Sequence, residues 1–86
     1  MSHRPHQLDD EFPTHTKTID RLKQENAHFA RLAEEYLELS VRIHKSETGV
    51  EPLGQFEEER LRKERLRIKD EIWKMIREAE AEESAK

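Results

Sequence analysis

The stretch Leu61 to Ala79, L-R-K-E-R-L-R-I-K-D-E-I-W-K-M-I-R-E-A, decides how the rest of the chain is read. Its apolar residues Leu61, Ile68, Ile72, Met75, Ile76 and Ala79 recur at three- and four-residue intervals, the period of one helical face. At about 100° per residue they occupy a sector of roughly 100°. Leu66 and Trp73, seven residues apart, fall outside that sector and begin a second seam. A helix with this pattern needs something to pack against.

Upstream, Leu22, Phe29, Tyr36 and Ile43 repeat every seven residues, with Leu32 and Leu39 at the d-type positions between them. This spacing predicts a first helix over about 15–47, with looser packing near Glu25 and Asn26, where polar residues enter the seam. Pro13 can open a helix, and Thr14, Thr16 and Thr18 offer capping oxygens. Gly49 suits a left-handed residue just beyond the helix end. The segment S-E-T-G-V-E-P-L-G then reads as a connector over about 48–55. A second helix follows over about 56–82, with Glu57, Glu58 and Glu59 in its first turns, where the helix dipole favours negative charge.

The expected architecture is therefore all-α: an antiparallel two-helix hairpin over residues 14–83, coiled-coil-like and completed by self-association. Residues 1–13, polar and broken by two prolines, read as a flexible tail. Whether Leu8 and Phe12 pack back on the helices is left open by the spacing. His3, His6 and His15 lie in or beside this tail without a fixed geometry for a metal.

Composition narrows the function classes. Of 86 residues, 33% are apolar and 42% charged, a balance typical of long solvated helices rather than of a thick core. A chain of this size rarely stabilises itself without staples or association. It has no cysteine, so neither disulfides nor thiolate metal sites serve as staples. Self-association or a protein partner is the natural completion, and Leu66, Trp73 and Ile76 are the candidate interface residues. No apolar run approaches the length of a membrane span, and the first residues lack the apolar core of a signal peptide. The reading is a cytoplasmic protein without a membrane partner.

The stretch L-K-Q-E-N-A-H-F (Leu22 to Phe29), followed by L-A-E-E-Y-L-E-L (Leu32 to Leu39), resembles the first half of the small bacterial YdcH-like proteins. The run L-R-K-E-R-L-R-I-K-D-E-I (Leu61 to Ile72) resembles their second half, and Lys69-Asp70-Glu71 is its most recognisable feature. The resemblance covers about residues 15–79. Arg67-Ile68 stands where a small or apolar pair is expected, and the N-terminal segment is longer than usual. The resemblance implies a helical hairpin, no assigned biochemical role, and no catalytic or ligand-binding residues.

The residues themselves suggest little chemistry. Arg60 to Lys69 is the densest cationic run, and Arg62, Lys63 and Arg67 are the candidate nucleic-acid contacts. Against this, the cations spread around the helix, no aromatic ladder accompanies them, and the formal net charge is −4. Ion pairing with neighbouring glutamates is the simpler expectation. Arg65 lands on the apolar stripe and needs a carboxylate partner or a path for its charged end to water. His28 and His44, about 24 Å apart along one helix, cannot share a metal within one chain. Adjacent carboxylates such as Asp70 and Glu71 point to different sides. A thin hairpin also lacks the deep, dry pocket that shifts catalytic pKa values. Neither catalysis, a cofactor, a metal nor a small-molecule substrate is expected.

Overall fold

The structure, a computed structural model, describes residues 8–85. The first part of the expected tail, with His3 and His6, lies outside the described residues. Every regular element described is helical, and no strand occurs among these residues. A single turn, α1, spans Leu8–Glu11, and a 3-10 turn follows at Pro13–His15. Three longer helices complete the chain: α2, Thr16–Glu25; α3, Ala27–Glu47; and α4, Gln55–Ser84.

The expected two-helix hairpin is thus corrected to three principal helices. The break falls at Asn26. Its backbone is extended (φ −129°, ψ 106°), its N–H donates to the Leu22 carbonyl at 2.8 Å, and its side-chain oxygen accepts from the Phe29 N–H at 3.1 Å. One residue therefore ends α2 and caps α3, a role for which asparagine is among the best side chains. The polar interruption of the heptad is a helix boundary, not a loosely packed turn. No threonine caps α2; the Thr16 hydroxyl instead donates to the Pro13 carbonyl.

The break allows α2 to pack on both α3 and α4, while α3 and α4 lie along each other. Cross-helix partners run in opposite directions: His28 meets Glu71, Glu47 meets Arg62, and Thr18 meets Glu80. The α3–α4 pair is therefore antiparallel. Its core contains Phe29, Leu32 and Tyr36 from α3 with Ile68, Ile72, Ile76 and Ala79 from α4. Ile19 and Leu22 close it from α2, and Leu8 of α1 joins the same cluster.

The Ser46 side chain ties the connector to the start of α4. Ser46 donates its hydroxyl to Glu58 at 2.8 Å and accepts from the Leu53 N–H at 3.1 Å. Gly49 takes φ +79°, a conformation that is costly for residues with a Cβ.

Ser40 presents one local defect. It is buried, and its hydroxyl has no hydrogen bond among the described residues. The Tyr36 phenol is near enough for Ser40 to oppose the rise in its pKa that burial causes, but the hydroxyls do not reach hydrogen-bond geometry. A buried unpaired hydroxyl costs about 1–3 kcal/mol, and alanine is the better helix former. Ser40→Ala should therefore raise the urea-unfolding free energy by about 0.5–1.5 kcal/mol. A loss of stability would show that the hydroxyl is satisfied.

Candidate interaction surface

The second seam on α4 runs along one flank of the helix, through Arg62, Leu66, Lys69 and Trp73. Its lower half is covered by the chain itself. Phe12 stacks on Trp73, with ring centroids 5.4 Å apart and planes 5° from parallel, and His15 meets the same indole edge-on at 5.1 Å. Glu11 pairs with Lys69 at 2.6 Å. Proline at position 13 ends the turn after Phe12 and begins the 3-10 turn that carries His15 into place.

A polar latch sits beside this aromatic cluster. Glu80 bonds to His15 Nδ1 at 2.7 Å and accepts from the Thr18 hydroxyl at 2.9 Å. The bond to His15, then that from Thr18, holds the Glu80 carboxyl below its usual range. Arg21 extends the contact between α2 and the end of α4 by pairing with Glu83 at 2.9 Å.

The sign of the resulting pH dependence follows from proton binding. Between the lowered folded pKa and the ordinary value of 4.5, the unfolded chain holds more protons at Glu80 than the folded chain. The contribution of Glu80 is present above the ordinary value and is lost as pH falls through the folded one. Thermal melts from about pH 6 to about pH 3 should show a smaller acid-induced decline for Glu80→Gln than for wild type. Identical declines would remove Glu80 from the acid response.

The upper half of the seam is open. Leu66 is 55% exposed and borders a groove of about 260 Å³ with Glu11, Tyr36, Arg62, Arg65 and Lys69. Leu37 on α3 is also exposed. Tyr36 forms part of the floor; burial and the nearby Glu11 raise its phenol pKa, while Arg65 opposes them. Arg65 is half-buried and has no carboxylate partner among the described residues.

The structure separates the residues selected by the sequence. Ile76 is wholly enclosed in the core, Trp73 is partly covered by Phe12, and Leu66 faces outward. Arg62 borders the groove and is held by Glu47 and Glu58. Arg67 lies on another flank, paired with Glu64 and at 4.0 Å from Glu71. Lys63 is exposed. These three cations do not converge on one surface. Phe12, His15 and Glu80 are the contributors that sequence periodicity missed. The available signal was an aromatic residue beside a proline in an otherwise polar segment.

A second shallow groove, of about 280 Å³, is bordered by Glu35, Glu38, Leu39, Arg42, Glu64 and Ile68 on the opposite side of the hairpin. No cluster of metal-ligating side chains occurs among the described residues, and none of their helices is long and apolar enough to cross a membrane.

No curated protein and no solved structure matches the chain. A family described as "Protein of unknown function (DUF465)" matches residues 29–84, from the first turn of α3 to the end of α4. With the α3–α4 hairpin matched along nearly its whole length, the chain belongs to the DUF465 family.

Proposed function

We propose that this protein works by protein–protein association, with itself or with a partner, and that the open half of the α4 seam is the contact surface. The observation that carries this reading is Leu66: a large apolar side chain, 55% exposed, beside a groove in the middle of a long helix. Isolated exposed leucines are common, but this one continues a heptad whose next member, Trp73, is already covered. The sequence resemblance to YdcH-like proteins belongs to the same proposal, supported by the family match over the hairpin. So do a non-catalytic role and a cytoplasmic setting.

The nucleic-acid reading gains no support from the arrangement. Arg60, Arg62 and Arg67 each face a glutamate, which offsets the field a phosphate backbone would meet.

Light scattering over a wide dilution range tests self-association. A dimer or larger assembly that Leu66→Asp reduces to monomer supports the surface. An assembly indifferent to that substitution overturns it, and a monomer throughout overturns self-association.

A further inference from the structure

The α4 seam contains the same pair of residue types twice. Lys69 and Trp73 are four residues apart, and so are Arg62 and Leu66, one heptad earlier. In each pair a cation lies one helical turn before a large apolar side chain on the same flank. The later pair has an occupant. Glu11 neutralises Lys69, Phe12 stacks on Trp73, and Leu8, four residues before Phe12, is buried in the core. The covering segment is thus a short acidic helical turn with apolar residues four apart.

In the earlier pair Arg62 is likewise paired, with Glu47 and Glu58, but no aromatic ring among the described residues stacks on Leu66, which is 55% exposed. Leu66 replaces Trp73 as the apolar element. Arg65 adds a half-buried guanidinium with no carboxylate partner among the described residues. Tyr36 and the stem of Lys69 complete the wall toward α1, so the open groove is continuous with the seat α1 occupies.

We infer that the groove around Arg62, Arg65 and Leu66 is a docking site for an acidic amphipathic helix of a partner protein, seated end to end with α1. The partner presents two apolar side chains four residues apart, the first or second against Leu66, and a carboxylate between them that reaches Arg65. The Arg65 guanidinium, without a carboxylate partner among the described residues, favours this occupant over a second copy of α4, which would bring its own Arg65 against it; Arg62 and Lys69 are already paired. The inference rests on the association reading and specifies its partner.

The test uses the full-length chain and a fluorescein-labelled synthetic peptide carrying Leu-Asp-Asp-Glu-Phe twice in tandem, with a control in which every carboxylate is replaced by lysine. Anisotropy should show saturable, salt-sensitive binding of the acidic peptide and none of the control. Leu66→Asp and Arg65→Glu should each weaken binding about tenfold or more, the loss expected at an interface hot spot. Far-UV circular dichroism should show both variants as helical as wild type, since neither side chain is part of the buried core.

Binding that survives Leu66→Asp while changing Trp73 fluorescence would put the peptide on the seat of α1 and overturn the inference. A wild-type dimer that Leu66→Asp dissociates would put a second copy in the groove and also overturn it, leaving the association reading intact. Absence of peptide binding, with wild-type and Leu66→Asp chains both monomeric, would remove both.

Discussion

Phe29→Ala should destabilise the protein by about 3–5 kcal/mol, the range for truncating a buried aromatic ring. Phe29 has no exposed surface and stands where three helices meet. Its N–H is also the group that Asn26 caps, so the ring is fixed at the point where α3 begins. Truncation would leave a void in the buried cluster that Phe29 shares with Ile19 and Leu22 of α2 and Ile72 and Ile76 of α4. The helix boundary at Asn26 precedes this position, so α2 would lose the packing that holds it at its angle to α3. Domains of this size have total stabilities of only about 4–13 kcal/mol, at 0.05–0.15 kcal/mol per residue. The substitution should therefore remove a large share of the total and lower the melting temperature by roughly 12–40 °C. Urea unfolding followed by circular dichroism measures it directly. A loss under about 1 kcal/mol would mean that the ring is not enclosed at that junction.

The second large effect separates the two faces of α4. Ile76→Asp should cost about 4–5 kcal/mol or more, because it deletes a buried aliphatic group and places a carboxyl where no partner can reach it. Leu66→Asp, ten residues away on the same helix, should stay within about 0.5 kcal/mol of wild type in the unassociated chain. Leu66 is more than half exposed, whereas Ile76 has no exposed surface. Chemical denaturation of both variants at a concentration low enough to suppress association provides the comparison. Equal losses would mean that Leu66 is buried in the isolated chain. Equal tolerance would mean that α4 does not face the core through Ile76.

Much of the interior is legible in the residue spacing. Leu61, Ile68, Ile72 and Ile76 repeat at helical spacing, and all are buried. The reason is local: an amphipathic helix buries its apolar stripe whatever partner it meets, so periodicity identifies the inward face without identifying the partner. The candidate surface was legible only in part. The seven-residue interval from Leu66 to Trp73 marked a second seam, and the structure divides it. Trp73 receives Phe12, which lies sixty-one positions earlier in the chain, and no periodicity within α4 can anticipate a contact over that distance.

Asn26 shows the boundary between the two kinds of information. An asparagine at a seam position is compatible with one continuous helix carrying a polar flaw, or with a helix end and a new cap. Local preference alone does not separate them. The choice depends on what α2 gains by turning: Ile19 becomes fully buried, and Thr18 and Arg21 reach Glu80 and Glu83 at the far end of α4. Helical character across the described residues, the inward faces of α3 and α4, and a connector near Gly49 can all be read from residue order, because they follow from short-range spacing and backbone preference. Tertiary structure decided the break at Asn26, the aromatic cover on Trp73 and the exposure of Leu66, because each depends on burial gained between residues distant in the chain.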